Sequence, residues 1–300
     1  MPGKGLGMET LRRVVVYLSK ENSQPKRAWF HQSIVGHFCP SHEDSVMVNC
    51  GLDRNRFLVS DREFAGSSRV LLQRPPFCPI KNLTETQATS LPAEIRDQGV
   101  DVGVAVLLQS AGREVLLTRR SKNLSIFPNI WVPPGGHVEQ DEQLLDAGLR
   151  ELQEETGLWL PDGAFSWKTL ALWESVYPPL LTRGLPNRHH VVIYLLLSSH
   201  ESHQQLQMRF QPNEAEVSAY AWLEPQVLER VAATLDEAKG TKAAGHFPET
   251  VSITELEHSS VQTVTVPTAV FLGTAPARGD DVERVSTGTK FALRLWLQSL

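Results

Sequence analysis

Residues 136–158 read GHVEQDEQLLDAGLRELQEETGL and carry the strongest structural signal in this 300-residue chain. At about 100° per residue in an α-helix, Glu151, Glu154 and Glu155 fall within roughly one third of the circumference. The opposite side of this helix consists of Leu145, Leu149, Leu152 and Thr156. The pattern predicts a helix over about residues 142–156 that packs with one face and presents carboxylates with the other.

Both ends of this helix have suitable residues. Asp141 is suited to cap the start, and Gly157 is suited to the left-handed turn that ends a helix. Residues 130–132 predict a strand, and Pro-Pro-Gly-Gly follows at 133–136. Since glycine lets backbone carbonyls approach an ion closely, the order strand, glycine turn and acidic helix predicts a binding site.

Three glutamates on one helix face repel one another and raise each other's pKa unless a cation lies among them. Magnesium suits such a site, because it takes oxygen ligands and keeps water positions that substrate phosphates can occupy. The alternative is a solvated acidic face on which Arg150 pairs with Glu154 four residues later. The glycine at each end and the additional acidic residue Glu142 favour the metal site.

The segment matches the pattern G-x5-E-x7-R-E-U-x-E-E-x-G-U at every position, where U is an apolar residue. It therefore resembles the Nudix box, the signature of the Nudix hydrolase family. The resemblance implies an α/β fold, an α/β/α sandwich around a mixed β-sheet. It also implies hydrolysis of a diphosphate linkage in a nucleotide derivative, with Mg²⁺ or Mn²⁺ as the cofactor.

The family and the chemistry of the side chains together predict the metal ligands. Glu151 and Glu155 are the expected ligands, and Glu154 joins them directly or through water. In the family a glycine carbonyl next to the box is a further ligand, which points here to Gly136 or Gly135.

Catalysis is expected to use Arg150, Glu151, Glu154 and one more distant glutamate. Arg150 should orient a glutamate rather than touch the substrate. Glu151 or the distant glutamate should accept the proton of the attacking water. Many Nudix enzymes carry an acidic residue in the loop before the closing strand. Glu216 holds that position here, Glu214 is its neighbour, and a solvated loop carboxylate is the competing interpretation for both.

The sequence divides into three regions. Residues 1–98 predict a small β-rich N-terminal extension that ends in a Pro-rich linker. Residues 99–239 contain a predicted hairpin, the acidic helix, further strands and a helix, which together predict the Nudix domain. Residues 240–300 are rich in Thr, Ser, Pro and Gly, and predict a partly disordered C-terminal extension with a short terminal helix.

Residues outside the box select the substrate. Arg119 and Arg120 partly resemble the arginine-rich run of the coenzyme A branch of the family, whereas the pattern of the NADH-cleaving branch is absent. Trp131, Trp173 and Tyr177 are aromatic residues able to stack a methylated purine, although aromatics at strand ends are also common in cores. Trp131, Arg119 and Tyr177 are the candidate substrate-binding residues.

Over its length the chain is most similar to the vertebrate Nudix branch called nucleoside diphosphate-linked moiety X motif 17. The similarity is carried by residues 72–79, 131–139, 172–175, 177–179 and 284–293. That branch is regarded as hydrolysing the methylguanosine cap of messenger RNA, so the resemblance implies mRNA decapping. Coenzyme A, ADP-ribose and dinucleotides are the alternative substrates, and a non-catalytic nucleotide-binding module is the alternative of another class.

The formal charge of −5 argues against a general nucleic-acid-binding surface, which requires many Lys and Arg contacts to phosphate. The expected partner is a nucleotide-diphosphate substrate, including a capped RNA 5′ end. No stretch approaches the roughly 18 apolar residues that span a membrane, and three cysteines without a disulfide pattern indicate reduced thiols. We expect a cytoplasmic protein, ahead of a peroxisomal or mitochondrial one, and the oligomeric state stays open. His189 and His190 precede an apolar strand and are expected to be structural.

Overall fold

The computed structural model describes residues 13–39, 43–234, 247–257, 260–279 and 281–300. The strands in these ranges are β1 (Val15–Ser19), β2 (Lys26–Arg27), β3 (Ser45–Asp53), β4 (Arg56–Ser60), β5 (Ser68–Gln73), β6 (Asp101–Gln109), β7 (Val115–Arg120), β8 (Ile130–Val132), β9 (Gly135–His137), β10 (Phe165–Tyr177), β11 (Arg188–Ser199), β12 (Val217–Leu223), β13 (Thr250–Glu257), β14 (Ser260–Pro267) and β15 (Arg284–Val285). The α-helices in the same ranges are α1 (Ile34–Phe38), α2 (Pro79–Asn82), α3 (Glu85–Ser90), α4 (Ala93–Arg96), α5 (Leu144–Thr156), α6 (His203–Gln207), α7 (Pro225–Ala233) and α8 (Thr287–Leu297).

The strands form one mixed sheet, in which twelve follow the order β14-β13-β12-β7-β6-β11-β10-β5-β3-β4-β1-β2. Outside this order, β9 pairs with β6, β8 pairs with β7, and β15 pairs with β8. β6 is parallel to β11 and antiparallel to the short strand β9. All of β6 except its first and last residue is buried. Because both faces of this strand are covered, its sequence is a continuous apolar run rather than an alternation.

The N-terminal strands belong to this sheet and do not form a separate unit. β5 pairs in parallel with β10, and β1 returns to β6 through the pair Val15↔Asp101 and the bond from Val16 N to Val100 O (2.9 Å). Seven strands therefore follow one another in a ring, β6-β11-β10-β5-β3-β4-β1. Local alternation predicts that strands exist, but it does not specify which distant strand each one pairs with.

Two apolar cores lie on opposite faces of the sheet. The first joins Val104 and Leu195 of the sheet to Leu152 of α5. The second packs α7 and α8 against the other face, with Val231 and Trp296 among its buried residues. Helices on both faces of a mixed sheet make the α/β/α sandwich that the sequence predicts. Within the described ranges, no helix is long and apolar enough to cross a membrane.

The C-terminal region contains more regular structure than its composition predicts. Residues 250–267 form the hairpin of β13 and β14, which extends the sheet beyond β12. The outer strand β14 keeps most of its polar side chains exposed, so its composition resembles that of a loop. The predicted terminal helix is present as α8, and it is anchored by buried apolar residues. Residues 240–246 of the predicted disordered segment lie outside the described residues.

Candidate active site

Helix α5 begins after Gln143 and ends at Gly157, whose φ of 71° is the left-handed conformation expected of this glycine. Asp141 does not cap the helix as predicted, because it lies two residues before the N-cap. Its backbone amide donates to Asn55 Oδ1 (2.7 Å), and Asn55 Nδ2 donates to the Asp141 carboxylate (3.3 Å). The approach to the helix is thereby tied to the turn between β3 and β4.

Helix α5 packs unusually close to the sheet because its middle residue, Gly148, has no side chain. A methyl group at this position would come within 3.0 Å of the side chains of Val106 and Leu195. Leu152 is completely buried in this contact. The close packing holds the inner glutamates of the helix against β9.

Glu155 is the more enclosed of these glutamates. Its Oε1 accepts a hydrogen bond from Gly135 N (3.0 Å), and its Oε2 accepts one from Thr118 Oγ1 (3.2 Å). Burial raises the pKa of Glu155 to about 7, although the Gly135 amide and Arg120 act against the rise. A cation close to this carboxylate would favour its charged form.

Glu151 lies at the same edge of the helix, directly against Gly136. A methyl group on Gly136 would overlap the Glu151 carboxylate. Arg150 Nη1 donates to Glu151 Oε1 (2.8 Å). Burial raises the pKa of Glu151, Arg150 lowers it, and the charges of Glu154 and Glu216 raise it further.

Arg150 is surrounded by acceptors of the protein itself. Its guanidinium donates to both carboxylate oxygens of Glu142 (2.6 and 3.0 Å), to the His137 carbonyl (2.9 Å) and to Glu154 (3.2 Å), in addition to Glu151. The hydrogen bond to Glu142 raises the pKa of Arg150. This geometry suits a residue that positions Glu151, because few of its donors remain for a substrate.

Glu154 and Glu216 lie apart from the two buried glutamates. The Glu154 side chain is 52% exposed, on the outer side of the helix. Glu216 is exposed in the loop before β12, where it accepts from Asn213 Nδ2 (3.3 Å), and its charge acts on Glu151. Asn213 N also donates to the carbonyl of Glu155 (2.9 Å) at the end of α5. The loop is thus fixed to the helix, which keeps Glu216 near the site.

The pairing of β9 with β6 decides which glycine carbonyl faces the glutamates. Gly136 pairs with Val104. Two residues away on either side, Val106 N donates to Pro134 O (2.8 Å) and Val138 N donates to Val102 O (3.1 Å). Gly136 therefore directs its amide and carbonyl into the ladder with β6. Gly135 faces the other way, as the bond from its amide to Glu155 shows. Of the two carbonyls that the sequence leaves open, that of Gly135 faces the acidic site.

The donor set fits a hard divalent cation. It consists only of oxygen atoms, from the carboxylates of Glu151 and Glu155 and the carbonyl of Gly135, with the Glu216 carboxylate nearby. Burial raises the pKa of both helix carboxylates, and a divalent cation would lower it again.

Two of the three predicted substrate-binding residues are engaged elsewhere. Trp131 is completely buried, packs on Phe271 and donates from Nε1 to Glu283 (2.8 Å). It cannot stack an incoming base, so the structure contradicts that prediction. Arg119 bonds to Glu255 and Glu283 (2.8 and 3.1 Å). These partners come from residues 255–283 of the C-terminal region, for which the sequence predicted no regular structure, and they make both residues structural contacts.

A cavity of about 250 Å³ opens beside the acidic site and borders it at Gly135 and Gly136. Its aromatic lining is contributed by Phe77, Phe127, Trp173 and Tyr194. The start of α8, residues 286–289, closes another side. Tyr177 does not line the cavity itself, but it packs edge-on against Phe127 of the lining (ring centroids 4.9 Å apart).

Sequence reasoning identified Trp173 as a candidate but missed most of this lining. The available signal was the similarity of residues 72–79 and 284–293 to the Nudix branch. Both segments lie outside the box, and both contribute to the cavity.

Several known proteins are similar to this chain. A family profile described as the NUDIX domain matches residues 98–243. A Xenopus laevis protein named m7GpppN-mRNA hydrolase NUDT17 is 55% identical to this chain, and the aligned region covers 98% of this chain and 97% of the Xenopus protein. The Danio rerio protein of the same name is 52% identical and covers 98% of both chains. The crystal structure of a MutT/nudix family protein from Enterococcus faecalis is similar with a TM-score of 0.37 and 18% identity, over 70% of this chain and 64% of that chain.

The matched domain contains the acidic helix, the glycine turn and the loop of Glu216. Relatives more than half identical extend the similarity over nearly the whole chain. The chain therefore belongs to the Nudix hydrolase family, enzymes that use a divalent metal ion to cleave phosphorus-containing acid anhydrides.

Proposed function

We propose that this enzyme hydrolyses the methylguanosine cap of messenger RNA, with Mg²⁺ or Mn²⁺ as its cofactor. The observation that carries the proposal is the aromatic cavity that adjoins the acidic site. A methylated guanine is cationic and gains about 1 to 2 kcal/mol over an aromatic face. The relatives named m7GpppN-mRNA hydrolase support the same substrate.

The residues of the site divide the work of hydrolysis. Glu151, Glu155 and the Gly135 carbonyl would hold the cation, and Arg150 positions Glu151. When bound there, a divalent cation would supply positive charge to the reacting phosphate and would lower the pKa of the attacking water. Glu151 or Glu216 accepts the proton of that water.

Arg120 provides a positive charge between the acidic site and the cavity. Its Nε donates to the carbonyls of Ile126 and Phe127 (both 3.2 Å), which holds the side chain in the lining. The charges of Glu155 and Glu216 act on it from the other side. A guanidinium in this place is suited to contact a substrate phosphate.

Coenzyme A, ADP-ribose and dinucleotides remain the alternative substrates. The coenzyme A hypothesis rested on Arg119 and Arg120 together, and Arg119 is paired with two glutamates of the C-terminal region. A non-catalytic nucleotide-binding module is the alternative of another class. The complete set of box glutamates argues for turnover.

Product release from methyl-capped RNA, unmethylated capped RNA, coenzyme A, ADP-ribose and NADH, measured side by side with Mg²⁺ and with Mn²⁺, tests the proposal. We expect the highest kcat/KM for methyl-capped RNA, and we expect removal of the methyl group to act mainly on KM. A preference of about 100-fold for coenzyme A over the cap would contradict the proposal.

Substitutions in the cavity test whether it binds the cap. Phe127→Ala and Phe77→Ala should each raise KM for capped RNA by about 10-fold, since both side chains line the cavity and one stacked base contributes ~1 to 3 kcal/mol. Trp167→Ala is the matched control, because this aromatic side chain is exposed to a similar extent as Phe77 and lies outside the cavity. If both cavity variants keep the KM and the melting temperature of the wild type, the cap does not bind in this cavity.

We further propose that the enzyme acts in the cytoplasm and contacts little RNA beyond the cap. Cys39, Cys50 and Cys78 are buried and form no disulfide, which suits a reducing compartment. The net charge of −5 predicts similar cleavage of short and long capped RNAs. Imaging of the tagged full-length chain tests the location, and a peroxisomal or mitochondrial signal would contradict it.

A further inference from the structure

A second cluster of metal-ligating side chains lies outside the acidic helix, at the other end of β9. It consists of Asp101, His137 and His190, which come from the three neighbouring strands β6, β9 and β11. His190 is the register partner of Asp101, and His137 pairs two residues further along β6. The sheet therefore holds the three side chains together, and their ligand atoms all lie within 4.8 Å of one another.

The spacing of these atoms is close to that of a tetrahedral metal site. His137 Nε2 and His190 Nε2 are 3.3 Å apart, and His190 Nε2 is 3.9 Å from Asp101 Oδ2. Bonds of ~2.0 to 2.1 Å in a tetrahedral zinc site place neighbouring ligand atoms roughly 3.3 Å apart. The two imidazoles already have this separation, and the carboxylate oxygen lies within 4.8 Å of both of them.

We propose that Asp101, His137 and His190 bind one divalent transition-metal ion of the zinc type, separately from the cation of the acidic helix. Two imidazoles and one carboxylate are the protein ligands of many metal sites that keep a position open. Mg²⁺ prefers oxygen ligands in a near-octahedral arrangement, so this nitrogen-rich cluster selects against it. His190, which the sequence assigned to a structural role, becomes a ligand.

The surroundings set limits on the affinity. Arg13 Nη1 lies 3.6 Å from Asp101 Oδ2, so the carboxylate already has one charged partner. The charges of Arg13 and Arg188 also act on both histidines. An outer partner of this kind orients a ligating carboxylate, but two positive charges weaken the binding of a cation. We therefore expect an exchangeable ion, bound less tightly than in a closed structural zinc site.

The open coordination position would face the substrate cavity. His137 and His190 both belong to its lining, and His137 directly follows Gly136 at the border of the acidic site. An ion held by the cluster therefore lies where water or a phosphate oxygen of a ligand can complete its coordination.

Titration of the metal-free full-length protein with Zn²⁺ in excess Mg²⁺, followed by calorimetry, tests the proposal, and Co²⁺ absorption reports the ligand geometry. We expect one equivalent of Zn²⁺ that Mg²⁺ does not displace, together with a tetrahedral Co²⁺ spectrum. Asp101→Asn and the double variant Asp101→Asn/His190→Asn should weaken Zn²⁺ binding at least about 10-fold. Melting temperatures identify any variant that does not fold. If the double variant does not fold, Zn²⁺ binding by the conservative variant Asp101→Asn decides the test.

Glu155→Gln is the matched control, because it removes a ligand of the acidic site and leaves the cluster intact. This variant should keep Zn²⁺ binding while losing Mg²⁺-dependent turnover. The proposal is overturned if the wild type binds no Zn²⁺ in excess Mg²⁺, if the cluster variants bind it as tightly as the wild type, or if Glu155→Gln abolishes it. Loss of turnover has no bearing on this result, so failure of the proposed substrate remains distinguishable.

Discussion

Two buried glutamates, Glu155 in α5 and Glu174 in β10, show opposite uses of a carboxylate. Glu174 accepts hydrogen bonds from the amides of Ile34 and Val35 (2.7 and 3.0 Å) at the start of α1, and His189 Nε2 lies 3.2 Å away. Although burial opposes it, His189 and these amides lower the pKa of Glu174. Glu155 has one amide and one shared hydroxyl, and burial raises its pKa to about 7.

The different hydrogen bonding of these two carboxylates indicates whether a buried charge serves structure or function. A carboxylate whose acceptor sites are filled by the protein anchors one element to another, as Glu174 anchors α1 to β10. A carboxylate that burial leaves short of partners has a perturbed pKa and gains most from a ligand that brings positive charge.

The largest effect is expected when the undersatisfied carboxylate is removed. Glu155→Gln should lower turnover by roughly 1000-fold, since loss of a metal ligand costs several kcal/mol of transition-state stabilisation. Its metal-free melting temperature should equal or exceed that of the wild type, because a buried charge with few partners is gone. Steady-state kinetics at saturating Mg²⁺ and thermal denaturation measure the two effects. Near-normal turnover would show that Glu155 is not a ligand.

Glu174→Gln should show the opposite pattern. The folded protein should lose about 3 kcal/mol of stability, because an amide cannot replace a carboxylate that accepts from two backbone amides and a histidine. Glu174 borders the cavity, but its carboxylate is fully buried and bonded to the protein, so turnover per folded molecule should stay within a few-fold of the wild type. Urea denaturation and active-site titration separate these effects. Unchanged stability would mean that the partners of Glu174 contribute little to the junction of α1 with β10.

The pH dependence of stability should have opposite signs for the two glutamates. The pKa of Glu155 rises from 4.5 to about 7 on folding, so in metal-free protein its contribution is lost as pH rises through that window. The pKa of Glu174 falls on folding, so its contribution is present above 4.5 and is lost as pH falls below that value. Between about pH 5 and about pH 8, Glu155→Gln should therefore gain stability relative to the wild type.

Melting temperatures of wild type, Glu155→Gln and Glu174→Gln in chelator, measured across this range, check the signs. Added Mg²⁺ should reduce the gain of Glu155→Gln, because the bound cation stabilises the charged carboxylate of the wild type. A difference between wild type and Glu155→Gln that does not change with pH would contradict the raised pKa.

The smallest effect is expected for the exposed carboxylate of the same helix. Glu154→Gln should change stability by less than about 0.5 kcal/mol, since an exposed ion pair with Arg150 contributes little. Turnover should fall far less than in Glu155→Gln, because the Glu154 side chain is half exposed and lies outside the buried pair. A loss as large as that of Glu155→Gln would place Glu154 among the direct ligands.

The sequence predicted the acidic helix well because the information is local. The spacing of Glu151 and Glu155 places them on one helix face whatever surrounds the helix, and Gly157 ends the helix by its own conformational freedom. The prediction that Asp141 caps the helix was wrong, because Asp141 is held by a hydrogen bond to Asn55, which is distant in sequence. The choice between Gly135 and Gly136 required the register of β9 against β6, which periodicity does not contain.

By itself, the sequence determined the acidic box, the family and the hydrolytic chemistry, since short-range spacing within one helix and one turn encodes them. Tertiary structure decided the rest. The cavity combines residues 75–79, 126–127, 173–176 and 284–289, and the burial of Trp131 depends on Phe271 and Glu283, about 140 to 150 residues away along the chain. Contacts at such separations depend on how strands pair and how terminal segments dock, and these arise from packing of the whole chain.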